Sequence, residues 1–328
     1  MAEMVRWGIL GCGKIAAKFA VGLLAAEGAQ LTAAGSRSRE KAEAFGDEYD
    51  IPHRHGSYEE LAANPEVDVI YVATPHPMHR NNMILCLQAG KPVLCEKPFT
   101  LNADEAKLVV EMARAKDLFL MEAMWSRFVP SLIRTRKLIA EGAIGEVRMV
   151  QTDLGFRATF DPKSRLFDLN LGGGALLDVG VYTVSFASMI YGGAPESVSA
   201  LAHIGSTGSD ENTGIVLGYP GGGLALLHAS LTADTTREAT IVGTEGYIKL
   251  HSPWIGGERL SLAKDRSKER IVEIPYSGNG YNLEAEEVGR CITEGKTESD
   301  AMPLDETISI METMDTIRSQ IDLTYPGE

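Results

Sequence analysis

The sequence is short of positive charge, with 31 lysines and arginines against 45 aspartates and glutamates and a net charge of −14. Nucleic acids and anionic membranes select cationic surfaces, so the composition argues against both as partners. Cysteine is also scarce. The four cysteines show no Cys-x-x-Cys spacing, and three of them lie in apolar runs. This favours buried free thiols in a reducing compartment over disulfides or a zinc site.

Other features with a distinct meaning are missing as well. The N-terminus leads straight into a predicted strand without a signal peptide, and no apolar run is expected to be long enough to span a bilayer. We find no internal repeat and no low-complexity segment. A chain of 328 residues, 44% hydrophobic and 23% charged, is therefore expected to be a cytoplasmic globular protein of two domains.

The two parts of the chain have different patterns. Up to about residue 126, short apolar strands alternate with helical segments, which is typical of a doubly wound α/β domain of the Rossmann type. From residue 147, successive strands are joined by short glycine-rich turns, which predicts an α+β domain with an open, mostly antiparallel sheet. We place the domains at 1–126 and 127–328.

A glycine-rich segment connects the first predicted strand to a helix. Gly11-Cys12-Gly13-Lys14-Ile15-Ala16 has the form G-x-G-x-x-A. In this position the first glycine permits a tight turn, and the second lets the backbone approach a pyrophosphate. The helix N-terminus adds free N–H groups. The segment predicts a dinucleotide site rather than a plain glycine turn.

No acidic residue follows the second predicted strand, where an NAD site usually carries one for the ribose 2′-hydroxyl. The chain has Ser36-Arg37-Ser38 there, a set of donors suited to a 2′-phosphate. The alternative is a surface arginine with no ligand. We expect NADP in preference to NAD.

The short buried strand 93–95 is followed by Glu96-Lys97-Pro98. Ligands of α/β sheets bind at the carboxyl ends of strands, and a proline fixes the corner and admits a cis bond. On this segment alone, a loop lysine in solvent is an equally good interpretation. His76 and His79 follow the preceding strand but lack a third metal ligand, so no metal is expected. A minor role for His79 beside the nicotinamide stays open.

In the second part, a helix predicted from about Ala175 to Ile190 follows a triple glycine and carries Asp178 and Tyr182. Residues four apart lie on one helical face, so the carboxylate and the phenol are expected to point the same way. The glycines form either a turn or a close approach of the backbone to a ligand. A buried tyrosine with a hydrogen-bond partner is the alternative to a catalytic one.

Together these segments resemble the Gfo/Idh/MocA family of glucose–fructose oxidoreductases, inositol dehydrogenases and their relatives. The resemblance is carried by Gly11–Ala16, Thr74-Pro75-His76-Pro77-Met78-His79, Glu96-Lys97-Pro98 and the segment from Gly172 to Tyr182. Many members have a histidine where this chain has Tyr182. The tyrosine and residues 118–125 resemble dimeric dihydrodiol dehydrogenases and NADP-dependent aldose dehydrogenases. The resemblance implies a substrate-binding and dimerisation domain after the Rossmann domain, hence a homodimer. It also implies that Glu96-Lys97-Pro98 lies beside the nicotinamide and that Ser36 and Arg37 hold the 2′-phosphate.

The expected reaction is reversible hydride transfer between a nicotinamide and a secondary or hemiacetal alcohol of a sugar or a cyclic trans-dihydrodiol. Lys97, Tyr182 and Asp178 are the candidate catalytic residues. Either Tyr182 or Lys97 carries the proton, and the sequence leaves both assignments open. A catalytically silent NAD(P)-binding regulator is the alternative function, and retention of all three residues argues against it.

The other candidate residues fall into two groups. The candidate cofactor contacts are Gly11, Gly13, Lys14, Ile15, Ser36, Arg37, Thr74, Pro75, His76, His79, Glu96, Lys97, Trp125 and Arg127. Trp125, Phe156 and Phe160 are candidate walls of the substrate site, with ordinary core or interface aromatics as the alternative.

Overall fold

The computed structural model describes residues 4–265 and 268–328. The chain divides into two compact units. The first contains the chain up to Thr100, together with Asp104–Phe128 and Ser277–Thr307. The second contains Leu101–Ala103, Val129–Tyr276 and Ile308–Glu328. The long first section thus ends close to the predicted boundary at residue 126, but Ser277–Thr307 groups with the first unit rather than with the rest of 127–328.

The sheet of the first unit has six strands, all parallel, among the residues described. In chain order they are β1 (Val5–Leu10), β2 (Ala29–Gly35), β3 (His53–His55), β4 (Val69–Val72), β5 (Val93–Glu96) and β6 (Leu120–Ala123). Their order in the sheet is β3-β2-β1-β4-β5-β6. The order reverses between β1 and β4, and ligands of doubly wound sheets bind at such a switch point.

Helices connect these strands. They are α1 (Lys14–Ala25), α2 (Arg39–Glu48), α3 (Tyr58–Ala62), α4 (His79–Gln88) and α5 (Ala103–Ala115). The strands β4, β5 and β6 are wholly buried, as expected for a sheet covered on both faces.

A later helix explains why Ser277–Thr307 belongs to the first unit. This helix is α8 (Tyr281–Thr293), and it packs against α1. The close approach requires Gly22, because a Cβ there would lie 2.8 Å from Tyr281 Cβ and 3.0 Å from Asn282 N. Asn279 Nδ2 also donates to Lys18 O at 2.8 Å. No local pattern in the sequence of α8 predicts its contact with α1.

The second unit is built on a sheet of eight strands within the described residues. They are β7 (Val147–Gly155), β8 (Ser197–Ile204), β9 (Asp210–Tyr219), β10 (Gly223–Ser230), β11 (Ala239–Gly243), β12 (Gly246–Leu250), β13 (Arg259–Lys264) and β14 (Arg270–Glu273). Their order is β14-β13-β12-β11-β7-β10-β9-β8, and only β7 and β10 pair in parallel. The predicted fold class is confirmed, although β13 and β14 have no counterpart in the sequence prediction.

The helices of this unit are α6 (Pro130–Ala140), α7 (Val181–Tyr191) and most of α9 (Leu304–Gln320). α7 packs on β7 and β10 and covers one face of the sheet. The stretch Leu169–Tyr191, 23 residues long with a mean hydropathy of 1.4, is apolar enough to cross a membrane by composition. The prediction that no run has this length is therefore wrong. However, 89% of the stretch's most apolar window is buried inside the protein, as in a core helix.

Candidate active site

The predicted dinucleotide loop has the geometry its glycines require. Gly11 has a φ of +99°, and a Cβ there would lie 3.1 Å from the carbonyl oxygen of Ala73. Gly13 is the N-cap of α1, and a Cβ on it would meet nothing within 4 Å. Among the described residues no side chain caps this helix, so its first N–H groups have no side-chain acceptor. Lys14 and Ile15 form the first positions of α1. The arrangement fits a pyrophosphate at a helix N-terminus.

A cavity of about 550 Å³ lies over this loop and is lined by Gly11, Gly13, Ser36, Arg37, Lys41 and Tyr58, together with Thr74 and Pro75. It brings together the loops that follow β1, β2 and β4. Burial raises the pKa of the Tyr58 hydroxyl, and the positive charge of the nearby Arg37 opposes that shift. Among the described residues neither Arg37 nor Lys41 has an acidic partner, in contrast to Arg39, which pairs with Glu43 and Glu60. Two cations without a counter-ion at one end of a dinucleotide cavity fit a phosphate monoester.

Sequence reasoning missed Lys41 and Tyr58. Ser38 caps α2 by accepting the N–H of Lys41 at 3.3 Å, which places the lysine in the first helical turn beside Ser36-Arg37-Ser38. The capping position of Ser38 and the three-residue spacing were available in the sequence and would have found Lys41. Tyr58 starts the short helix α3, and only the fold brings it to Arg37.

His79 is completely buried and joins two loops of this site. Its Nδ1 lies 2.9 Å from Pro98 O and its Nε2 lies 2.8 Å from Thr74 O. Burial lowers the pKa of this imidazole. Both ring nitrogens are occupied by backbone carbonyls, so His79 acts by tying the end of β4 to the segment after β5. Within residues 4–265 and 268–328 no group of three or more metal-ligating side chains is found.

The Glu96-Lys97-Pro98 corner is held from several sides. The Lys97–Pro98 peptide bond is cis. Lys97 N donates to Glu96 Oε2 at 3.2 Å, and the Tyr71 hydroxyl donates to Glu96 Oε1. Glu122, at the end of β6, accepts the N–H of Phe99 at 3.1 Å. Lys97 is half-buried at the carboxyl end of β5, on a backbone that buried side chains fix. The corner is therefore a preorganised position rather than a solvent loop.

Among the described residues of the first unit, the buried carboxyl groups are those of Glu96, Glu122 and Glu284. Burial raises the pKa of Glu122 to about 7. For Glu284, on α8, burial and then the charge of Glu96 raise the pKa well above its ordinary value. Neither Glu284 oxygen has a hydrogen-bond partner among the described residues. A lone buried carboxyl group avoids the cost of desolvated charge by keeping its proton to a higher pH than an exposed one.

Glu284→Met is expected to stabilise the protein increasingly as pH rises. The folded state keeps the Glu284 proton above the ordinary carboxyl pKa, whereas the unfolded chain releases it, so the contribution to stability is complete below that value and lost above it. The gain in unfolding free energy should be about 1–3 kcal/mol larger at pH 8 than at pH 4. Urea unfolding at both pH values measures it. Glu286→Met, at a half-buried position of the same helix whose carboxylate accepts the Glu27 N–H, is the control, and an equal gain in both variants would contradict the assignment.

The segment Trp125–Phe128 forms a 3₁₀ turn after β6. Trp125 stacks on Tyr281 with ring centroids 5.1 Å apart. Arg127 is 2% exposed, and its Nη1 and Nη2 lie 2.8 Å and 2.7 Å from the two carboxylate oxygens of Glu306. This bidentate pair commits the guanidinium fork to a protein carboxylate, so Arg127 supports the turn that carries Trp125.

In the second unit the segment carrying Asp178 differs from the prediction. Instead of one α-helix from Ala175, the structure has a π turn at Leu176–Gly180 followed by α7. Asp178 lies in the π turn and Tyr182 in α7, so the α-helical rule for residues four apart does not describe them. The π turn contains one residue more than an α turn, and the shared direction of the two side chains stays a prediction. Both side chains are buried.

Sequence reasoning also missed the ion pair made by Asp178. Arg165 Nη1 lies 2.7 Å from Asp178 Oδ1, and the Asp178 side chain is 6% exposed whereas that of Arg165 is 54% exposed. The half-exposed guanidinium thus supplies a hydrogen-bonded counter-ion to the buried Asp178 side chain. Arg165 comes from the loop after β7, thirteen residues away in sequence, and no periodic pattern predicts its position.

The same loop carries the two candidate phenylalanines. Phe160 is 52% exposed and makes an edge-on contact with the buried Phe167 at 5.1 Å between centroids. Phe156 is half-buried and its N–H donates to Ser230 O at 3.0 Å. The exposed ring of Phe160 presents apolar surface and is not part of the core.

Comparison with known proteins places these features in a family. Residues 5–124 match the family described as "Oxidoreductase family, NAD-binding Rossmann fold", and residues 132–249 match the "GFO/IDH/MocA C-terminal domain". The chain belongs to the Gfo/Idh/MocA family. It is accordingly an oxidoreductase with a Rossmann domain for a nicotinamide dinucleotide, as the resemblance implies.

Individual relatives cover nearly the whole chain. The chain is 39% identical to trans-1,2-dihydrobenzene-1,2-diol dehydrogenase of Xenopus tropicalis, over 98% of this chain and 99% of that protein. Among solved structures, the aldose-aldose oxidoreductase from Caulobacter crescentus complexed with glycerol has a TM-score of 0.89 and 25% identity, covering 98% of both chains.

Two more distant structures share the fold. They are the 3-ketoreductase KijD10 from Actinomadura kijaniata with NADP and TDP-benzene (TM-score 0.86, 23% identity, 97% of this chain and 98% of that one) and a levoglucosan dehydrogenase with NADH and levoglucosan (0.88, 20%, 98% of each). The same fold therefore accommodates either cofactor, and the choice depends on local residues.

Proposed function

We propose that the protein is an NADP-dependent oxidoreductase that transfers a hydride between the nicotinamide and a secondary or hemiacetal alcohol of a sugar or a cyclic trans-dihydrodiol. The observation that carries the cofactor assignment is the cavity in which Arg37 and Lys41 lack acidic partners among the described residues. The substrate class is supported by the 39% identity to a trans-dihydrodiol dehydrogenase over almost the whole chain and by the likeness to an aldose-aldose oxidoreductase.

Each part of the first unit has a binding role in this proposal. The backbone around Gly11 and Gly13 and the free N–H groups of α1 hold the pyrophosphate. Ser36, Arg37 and Lys41 hold the 2′-phosphate, with Tyr58 beside Arg37. When bound, NADP supplies the hydride acceptor or donor, and the protein has to bind, orient and move one proton.

The proton is assigned to Tyr182 assisted by Lys97. A phenol titrates near pH 10, so using one as a base at neutral pH costs about 4 kcal/mol at about 1.4 kcal/mol per unit. A neighbouring ammonium recovers about one to three units. The fixed backbone of the Glu96-Lys97-Pro98 corner supports a positioned Lys97, and the contact with Arg165 holds the Asp178 carboxyl group in place to orient a hydroxyl group. Lys97 as the proton carrier is the competing assignment.

A substrate panel tests the proposal. Aldoses, ketosugars and cyclic trans-dihydrodiols are assayed at 340 nm with NADP⁺ and NAD⁺, and their oxidised counterparts with the reduced cofactors. We expect turnover with at least one class and a preference for NADP. Cofactor binding without turnover on any of them would replace the enzyme with the silent NAD(P)-binding regulator.

A homodimer formed through the open sheet is part of the same proposal. The face of the second unit's sheet away from α7 exposes Leu201, Val216, Leu224 and Leu226. These residues lie on the three neighbouring strands β8, β9 and β10, so they form one apolar surface. Such a surface is typical of a protein interface, and a two-fold copy of the chain covers it most simply.

Light scattering at micromolar concentration is expected to give the mass of two chains. Leu226→Arg places a charge in the centre of the apolar face and should give a monomer. Leu24→Arg alters an exposed leucine on α1 of the first unit and should leave the dimer intact. A monomeric wild type, or a dimer that survives Leu226→Arg, would exclude this face as the interface.

A cytoplasmic location completes the proposal. All four cysteines are free thiols, as predicted, and Cys86, Cys95 and Cys291 are buried. Unpaired thiols in such number are typical of a reducing compartment.

A further inference from the structure

The π turn that carries Asp178 is not stable by itself. Val181 N donates to Leu176 O, five residues back, which is the bond that defines the turn. Such turns are rare and are usually retained where surrounding structure enforces them, often at functional sites. The residues that enforce this one therefore control the position of Asp178 relative to Tyr182.

Asp210, the first residue of β9, contacts the turn at its beginning. It is 0% exposed, and its Oδ2 accepts the N–H of Leu176 at 2.7 Å and the hydroxyl of Thr213 at 2.6 Å. The Leu176 N–H belongs to the first turn of the helix, where backbone donors lack an intrahelical partner. A single buried carboxyl oxygen thus fixes the start of the segment that carries both candidate catalytic side chains.

The triple glycine is shaped around the same carboxyl group. Gly174 has a φ of +136°, and a Cβ on it would lie 2.1 Å from Asp210 Oδ1. Gly173 O accepts the hydroxyl of the buried Tyr325 at 3.1 Å. The glycines therefore serve close packing on Asp210 and Tyr325. These contacts explain the triple glycine by packing within the protein. The sequence alone left open a close approach of the glycine backbone to a ligand.

We propose that Asp210 is a positioning residue for the site: by holding the Leu176 N–H it maintains the π turn and so sets the direction of Asp178 relative to Tyr182. The inference rests on the proposed function for its catalytic consequence. Without the anchor, the segment can relax to a regular α-helix. Such a change shifts the hydrogen-bond register by one residue, which rotates the residues before the turn by about 100° relative to those after it, and Asp178, inside the turn, by part of that angle. Asp178 would then face away from its present direction and lose its pairing with Arg165.

The test compares Asp210→Ala with Asp210→Asn. The alanine removes the acceptor, whereas the asparagine oxygen still accepts from Leu176 and Thr213. We expect Asp210→Ala to exchange backbone amides in residues 174–183 about tenfold faster, and to lower kcat by about 10–10² with an unchanged KM for NADP. Asp210→Asn should restore both quantities to within about twofold of the wild type. If the alanine variant does not fold, Asp210→Ser, which is too short to reach Leu176, replaces it.

Asp168→Ala is the matched control. Asp168 also accepts a backbone N–H, that of Asn170 at 2.9 Å, in the loop just before the triple glycine, but it does not touch the π turn. It should leave exchange in 174–183 and kcat unchanged. The proposal is overturned if Asp210→Ala leaves the exchange of this segment unchanged, or if the control has the same effect. Absence of turnover in the wild type would count against the proposed function, whereas the exchange measurement would still decide the role of Asp210.

Discussion

Replacing Tyr182 by phenylalanine is expected to lower kcat by about 10²–10⁴-fold while NADP binding is preserved. The substitution removes one hydroxyl group and keeps the ring, which is buried in the second position of α7. The fold should survive because the packing is unchanged. In the wild type, kcat/KM for alcohol oxidation should rise with pH through an ionisation that the variant lacks. Steady-state kinetics from pH 6 to 10 and NADPH binding by fluorescence measure both effects.

Tyr191→Phe provides the control on the same helix. The Tyr191 hydroxyl donates to Leu224 O at 2.9 Å and its ring stacks on Tyr219, so loss of the hydroxyl affects a structural contact only. It should change kcat by less than about twofold, because single neutral hydrogen bonds contribute about 0.5–1.5 kcal/mol to stability and nothing to the reacting atoms. If Tyr182→Phe keeps more than a tenth of the wild-type kcat with the same pH profile, the tyrosine is a packing residue. The proton then belongs to Lys97, and Lys97→Met should abolish turnover with Tyr182 intact.

The parts of the site that could be predicted are those encoded by contiguous residues. The turn after β1 requires Gly11, whose φ is positive, and the sequence identifies it because few residues other than glycine adopt that conformation. Lys97 lies at the end of a buried parallel strand, where the fold class itself places ligands. The preference for NADP could also be predicted locally, because the donors Ser36 and Arg37 follow β2 where an NAD site usually has an acidic residue.

The parts that could not be predicted depend on contacts distant in sequence. α8 joins the first unit through Gly22, more than 250 residues before it, and brings Glu284 into the interior with no partner among the described residues. The π turn exists because Asp210 holds the Leu176 N–H, 34 residues away. Helical periodicity assumes 3.6 residues per turn and therefore assigns Asp178 to an ordinary α-helix. These features arise from tertiary packing, which overrides the local pattern.

The second large effect is expected on the choice between NADP and NAD. Arg37→Ala is expected to raise the KM for NADP by about 10–100-fold and to leave the KM for NAD within about twofold, since a charge-assisted hydrogen bond contributes about 1.5–3 kcal/mol. Lys41→Ala should act in the same direction but less, about two- to fivefold, because an ammonium binds a phosphate as a point charge whereas the guanidinium fork of Arg37 can bind it through two parallel hydrogen bonds. Kinetics with both cofactors, at low and high salt, measure the effect, and added salt should reduce the wild-type preference because it screens the phosphate contacts.

Arg39→Ala is the matched control for both variants. Arg39 is two residues from Arg37 and starts α2, but it pairs with Glu43 and Glu60 and does not line the cavity. Its guanidinium is already neutralised by carboxylates, so it should have little attraction left for a phosphate, and the KM for NADP should stay within about twofold. The comparison separates a specific contact from the general loss of a positive charge on an acidic protein. If Arg39→Ala and Arg37→Ala weaken NADP equally, or if Arg37→Ala weakens NAD as much as NADP, the arginine does not recognise the 2′-phosphate.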